Sequence, residues 1–304
     1  MRPSTSAVGD AATSARYTVE HETRYAYRIA VSQSWQLAYL TPAELPWQRL
    51  LAHDIAIEPP PDERHERRDA FGNRVTHFGI HGPHPLLGVR MACDVEVGDR
   101  DDPAAVPGMA WEAVRDALRD DPAQGALLPA RMTEPSALVG WSERARVYAA
   151  ATFAAGRDWL AAVTDLMQRI YREFDFEPGT TTVTTSVDEV LAQQSGVCQD
   201  FAHVMIACLR SHGLPARYVS GYLLTQPPPG QERLLGADVS HAWVAAYSPR
   251  HGWVEFDPTN DQRADRRYIT LATGGDFADV VPLRGVILGG RGQKMRVAVS
   301  VIPH

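Results

Sequence analysis

The sequence predicts an α+β fold, in which a helix packs on an antiparallel sheet and a separate antiparallel β domain precedes both. Three observations predict it. Residues 17–97 alternate apolar and polar in runs separated by Pro and Gly clusters, the pattern of strands with one buried face. From residue 198 the spacing becomes helical, with Phe201, Val204, Met205, Cys208 and Leu209 at i, i+3, i+4, i+7 and i+8, a helix with one buried stripe. Strand-like runs then follow one another without intervening helices, which argues against βαβ units.

Taken in order, residues 1–15 are small and polar and are expected to be disordered. A β domain is expected over 16–100. Its first run is Tyr17, Val19, His21, Thr23, Tyr25, Tyr27 and Ile29; further runs fall at 36–40, 53–57 and 74–80, the last after the turn-forming Phe71-Gly72-Asn73. Val89, Met91, Cys93, Val95 and Val97 form one more alternation, which makes Cys93 a core residue. Residues 101–155 read as a linker (101–107) and helices at 111–119 and 142–154. The remaining segment, 156–304, is expected to hold the core and the C-terminal strands. It opens with an amphipathic helix over 160–174, stopped by Pro178-Gly179. A Thr-rich stretch leads to a short helix over 187–194 that Ser186 or Asp188 can cap. The helix from Cys198 ends with Arg210 and His212 in its last turn, Gly213 as cap and Pro215 as stop. Strands follow at 217–224, 239–247, 253–257 and 268–271, with a Pro/Gly loop over 226–238 and a last strand around Val297, Val299 and Val301.

Composition narrows the function classes. A chain of 304 residues, 44% hydrophobic and 22% charged, is globular in character, and its net charge of -7 lacks the basic footprint that nucleic acid requires. Three cysteines form no disulfide framework and point to a reducing compartment. The N-terminus has no apolar core of a signal peptide and no run reaches ~18 apolar residues, so a cytoplasmic protein without a membrane partner is expected. Lys294 is the single lysine against 29 arginines, which makes the chain a poor lysine donor in any cross-linking reaction.

Chemistry centres on residues 196–221, GVCQDFAHVMIACLRSHGLPARYVSG. A Gly-Val turn delivers Cys198 to the first helical position, where unpaired N–H groups and the helix dipole favour thiolate over thiol. The alternative at this point is a buried structural cysteine. The strands at 239–247 and 253–257 supply what a nucleophile needs. Ala242, Val244 and Ala246 match Val254 and Phe256 as one buried face, which puts His241, Trp243 and Asp257 together on the other. Either register compatible with that matching brings His241 and Asp257 to a directly opposed or diagonal position, with Cβ atoms about 5–8 Å apart. Pro258 keeps Asp257 extended, its carboxylate directed outward. In such a set the imidazole takes the thiol proton and returns it to the leaving amine, while the carboxylate fixes the tautomer. The Cys198 N–H and a side-chain donor, with Gln193, Gln194 and Trp243 as candidates, would hold the oxyanion.

Residues 196–222 followed by SHAWVAAYSPRHGWVEFDPTN (240–260) resemble the bacterial transglutaminase-like superfamily of papain-fold cysteine enzymes. The segments ETRYAY, LTP, DAFGN and PHPLLGV resemble the β domain that often precedes that core, and GGDFADVVPLRGV also looks like that family. The resemblance covers most of residues 17–302 and implies Cys198 as nucleophile, His241 as base and Asp257 as third member. Ala245 stands where the family commonly has an acidic residue. A papain-like core and a protein or peptide substrate are implied, with no cofactor. A thioester on Cys198 can be resolved by an amine or by water, so cross-linking, deamidation and proteolysis all stay open. No acidic cluster has calcium-loop spacing, and calcium dependence is not expected. Arylamine N-acetyl transfer uses the same triad logic, and a catalytically silent peptide-binding scaffold is the non-enzyme alternative.

Other chemistry-bearing residues have simpler readings. Cys208 lies on the apolar stripe and reads as core. His77, His81 and His84 read as surface-loop residues rather than a metal site. His203 reads as a packing or hydrogen-bonded residue, Asp200 as a complement to the helix dipole, and Asp276 as a loop anchor. Trp243 would wall a cleft or shield the triad from water.

Overall fold

The computed structural model describes residues 14–120, 127–224 and 240–304. Its elements begin with β1 (Ser14–Ala38), β2 (Gln48–Glu58), β3 (Glu63–Arg68), β4 (Arg74–Ile80) and β5 (His84–Gly98). Next come α1 (Trp111–Asp120), α2 (Leu127–Arg131), α3 (Glu143–Ala150), α4 (Trp159–Glu173), the short β6 (Asp175–Phe176), α5 (Val187–Gln193), the short β7 (Ser195–Gly196) and α6 (Cys198–Arg210). The chain then runs through β8 (Ala216–Leu223), β9 (Ser240–Ser248), β10 (Gly252–Asp257), β11 (Gln262–Arg263), β12 (Tyr268–Gly274) and β13 (Leu283–Pro303). Among the described residues no helix is long and apolar enough to cross a membrane.

The first sheet has the order β2-β5-β1-β4-β3, with β13 on the other edge of β1. Its alternation is as the sequence implies: Leu87, Val89, Met91, Cys93, Val95 and Val97 of β5 are all buried. Three features differ. β1 is one strand rather than two, because a register shift between Val31 and Gln33 changes which residues face inward, from odd numbers to Ser34, Gln36 and Ala38. β3, ERHERR, is exposed at all six positions and pairs only with β4, so it carries no hydrophobic period to read. β13 pairs with β1 from Leu283 to Pro303, so the last strand, grouped with the core by position, is hydrogen-bonded into the first sheet. Of the expected disordered tail, residues 1–13 lie outside the described residues, while Ser14 and Ala15 begin β1. The 226–238 loop also lies outside them.

The second sheet, β11-β10-β9-β8-β12, is antiparallel throughout. Helix α6 lies on β8 and β9, and α3, α4 and α5 close around it. Consequently every residue from Asp200 to Arg210 is buried, where the spacing implied a single buried stripe. Its polar members are paired. Arg210 donates to the carbonyls of Met132, Ala216 and Gly275. The caps follow local chemistry: Ser142 accepts from Ala145 N–H, Asp158 from Ala161 N–H, and Ser186 forms a reciprocal capping box with Glu189. Gly213, at φ 73, closes α6 as expected.

Both faces of β9 are covered. Ala242, Val244 and Ala246 join the main core, while Trp243 and Ala245 form a second small cluster with Val219, Ala264 and Tyr268. The face expected to be open therefore has its own cover.

The two sheets meet along β12. Its free edge is completed by two side-chain amides instead of a strand. Gln48 accepts from Thr270 N–H at 2.8 Å and donates to Thr270 C=O at 2.8 Å. Asn73 does the same for Thr273, at 2.9 and 2.7 Å.

Candidate active site

Cys198 is the first residue of α6 and half-buried. The turn before it depends on Asp200, whose Oδ2 accepts from Val197 N–H at 2.8 Å and from Thr181 Oγ1 at 2.7 Å. Gly196 makes room for that fold-back, since a Cβ there would sit 2.7 Å from Asp200 Oδ2. Burial raises the Asp200 carboxyl above its usual range, and the two hydrogen bonds pull against that rise. Asp200 thus caps the helix from within its first turn, a more specific role than complementing the dipole.

The hairpin takes the diagonal of the two registers. Tyr247 pairs with Trp253 and Val244 with Phe256, so Asp257 falls beside Trp243 and diagonal to His241. His241 Nε2–H donates to Asp257 Oδ2 at 2.7 Å. Cys198 lies close enough to the same imidazole to act on its charge. The three residues singled out from sequence are therefore brought together.

Asp257 has no exposed surface, so its carboxylate is enclosed rather than directed outward into solvent. Its charge is held by hydrogen bonds. Oδ2 also accepts from Asn260 Nδ2 and Tyr268 Oη, each at 2.7 Å, and Oδ1 accepts from Thr259 N–H at 2.8 Å. Burial by itself would raise its pKa; the donors, His241 foremost, outweigh burial and lower it. Burial likewise disfavours the His241 cation, but its hydrogen bond to Asp257 and the influence of Asp257 and Cys198 beside it raise the imidazole to about 10.

Sequence reasoning missed Tyr268 and Asn260. Asn260 closes the motif that begins at Asp257, and its three-residue separation across a Pro-Thr turn is the available signal. Tyr268 was read only as the start of a strand.

The remaining candidates are placed as follows. Trp243 is fully buried, stacks on His241 at 6.0 Å, and its indole N–H has no partner among the described residues. A substrate oxygen cannot reach that N–H without movement of the indole; shielding of His241 suits the position. Gln194 is exposed at the left-handed end of α5, at φ 51, and Gln193 donates to Ser195 C=O. Cys208 is fully buried against Ala145 C=O, and burial pushes the Cys93 thiol up to about 12. His203 is buried, accepts from Phe277 N–H at 3.2 Å, and burial lowers it to about 4. Asp276 anchors loops as read, accepting from Leu138 and Ala278 N–H. Of the three loop histidines only His81 is an exposed loop residue. His77 lies within β4, and His84 opens β5 and is buried against Ser34 and Gly82 C=O.

The comparisons with known proteins agree with this architecture. Residues 17–96 match the bacterial transglutaminase-like N-terminal region, and residues 147–258 match the transglutaminase-like superfamily. The chain is 41% identical over 297 residues to the uncharacterized protein Rv2569c of Mycobacterium tuberculosis, covering 95% of this chain and 93% of that one. A stretch of 135 residues, 41% of this chain and 20% of the relative, is 33% identical to a protein-glutamine gamma-glutamyltransferase of Pseudomonas aeruginosa. In fold it is similar to a candidate cysteine protease from Cytophaga hutchinsonii, with a TM-score of 0.72 at 20% identity, covering 95% of this chain and 91% of that one. With its N-terminal sheet, its helix-on-sheet core and these matches along nearly its whole length, the chain belongs to the transglutaminase-like superfamily.

Proposed function

We propose that the protein is a cysteine-dependent enzyme acting on amide bonds of a protein or peptide, with Cys198 as nucleophile, His241 as acid and base, and Asp257 orienting the imidazole. The observation that carries this reading is the single imidazole hydrogen-bonded to a buried carboxylate and standing near a thiol at a helix start. Sulfur attacks the amide carbon, and the resulting oxyanion lies near the Cys198 N–H, one of the first-turn groups without an intrahelical acceptor. Gln194, exposed at the end of α5, stands as its side-chain partner. The imidazolium then protonates the leaving amine, the C–N bond breaks and a thioester remains. Water or a second amine, deprotonated by His241, attacks that thioester and restores the thiol. The similarity to a protein-glutamine gamma-glutamyltransferase supports a glutamine side chain as one class of acyl donor.

The test is incubation with a glutamine-containing peptide library, with and without a primary amine, followed by mass spectrometry. Amine incorporation, loss of ammonia to water and chain cleavage give three different mass changes. The expected result is at least one of these in the wild type and none with Cys198→Ala. Equal turnover by Cys198→Ala would remove the proposal.

A further inference from the structure

We propose that Tyr268 is a positioning residue for the His241–Asp257 pair, set in place by the N-terminal sheet. The inference rests on the triad reading and concerns a residue outside it. The Tyr268 hydroxyl lies 2.7 Å from Asp257 Oδ2, the same oxygen that His241 uses. Its proton has one destination. Gln262 Nε2 donates to the phenol oxygen, and Arg267 in turn donates to Gln262 Oε1 at 2.7 Å, so the hydroxyl hydrogen is left for the carboxylate. The ring is fully buried, edge-on to Trp243 at 5.2 Å and 6.1 Å from His241.

The placement of that ring comes from two domains. On one side β12 pairs with β8, Tyr268 opposite Leu223. On the other, the first sheet and the loops flanking its strands grip residues 265–273 at four points. Gln48 clamps Thr270 and Asn73 clamps Thr273 through both backbone groups. Tyr17 Oη donates to Arg266 C=O and Arg100 to Asp265 C=O. Asn73 is itself fixed by Asp69. Gln48 and Asn73 are both buried, so these amides would be costly to leave unpaired. The N-terminal sheet thereby sets the height of Tyr268 against Asp257, and with it the direction in which the carboxylate holds His241.

The groups facing Asp257 are His241 from β9, Tyr268 from β12, and Asn260 and Thr259 from the turn after β10. Gln262 of β11 and the Asp265–Arg267 pair stand behind Tyr268, and Cys198 of α6 stands beyond His241. The hydroxyl stabilises the ionised carboxylate. Without it Asp257 takes up a proton at higher pH, and a neutral Asp257 no longer supports an imidazolium.

The experiment is the rate of Cys198 carboxamidomethylation by iodoacetamide in the full chain between about pH 4 and 10, read by mass spectrometry of the Cys198 peptide. Wild type, His241→Ala and Tyr268→Phe are compared; the last keeps the ring and removes only the hydroxyl. Tyr268→Phe is expected to move the acid midpoint up by about one pH unit. A folded Tyr268→Phe with the wild-type midpoint overturns the proposal, because a merely structural ring changes stability without moving the profile. If Tyr268→Phe does not fold, Gln262→Ala carries the test: a smaller shift in the same direction supports the proposal and an unmoved midpoint overturns it. Failure of the underlying triad reading looks different, since wild type and His241→Ala would then share one profile.

Discussion

Asp257 has no exposed surface and still stands as an anion, because four donors converge on its two oxygens. The same bonds hold the neighbouring imidazole protonated, which gives the pair a definite dependence on pH. His241, raised to about 10, contributes stability that is fully present below its ordinary value of 6.5 and is lost as pH rises toward 10. Asp257, lowered from 3.8, contributes stability present above that value and lost as pH falls through its folded pKa. Urea unfolding at about pH 6 and 9.5 is therefore expected to show a decline in the wild type that is smaller in His241→Gln. Asp257→Asn keeps the shape and removes the charge. Turnover of any peptide found in the library assay is expected to fall about a thousandfold or more, measured as kcat. The meeting of His241 and Asp257 was legible in the sequence because strand parity confines both to one face whatever the register. Tyr268 was not legible. It reaches Asp257 across a sheet whose strand order the sequence does not state.

Among the elements, α6 shows how little room the cysteine turn has. Gly196→Ala would drive a methyl into the Asp200 carboxylate that holds Val197 N–H. A loss of about 1–3 kcal/mol is expected in denaturant unfolding, accompanied by slower alkylation of Cys198. On β12, Asn73→Ala would leave both backbone groups of Thr273 without their partners. It is expected to cost about 2–4 kcal/mol, measured the same way, although the residue touches nothing in the site. The start of α6, its Gly213 cap and the Ser186 cap of α5 were readable, because capping is a local contest over a few N–H groups. The full burial of α6 and of β9 was not. Periodicity reports the first face to be covered, and both elements are covered on a second side by parts distant in the chain. Likewise β3 is held by its partner β4 and not by any apolar pattern of its own.

For the molecule as a whole, the first and last strands are one unit. β1 and β13 pair along nearly their full lengths, so the chain returns to its beginning after building the core. Position along the chain is a poor guide to that partnership, since alternation in Val297, Val299 and Val301 announces a strand without naming its sheet. Removal of residues 283–303 is expected to expose an edge of β1 and to unfold the first sheet, and, through Gln48 and Asn73, to slow Cys198 alkylation. Limited proteolysis and the alkylation rate check both parts. The central claim is that Cys198, His241 and Asp257 act together, and one comparison tests it without knowledge of the substrate. Iodoacetamide is applied at about pH 6 to the wild type and to His241→Ala, and modification of each cysteine peptide is timed. Cys198 is predicted to react roughly tenfold or more faster in the wild type than in the variant, with the buried Cys93 and Cys208 unmodified in both. Equal Cys198 rates in the two proteins would contradict it.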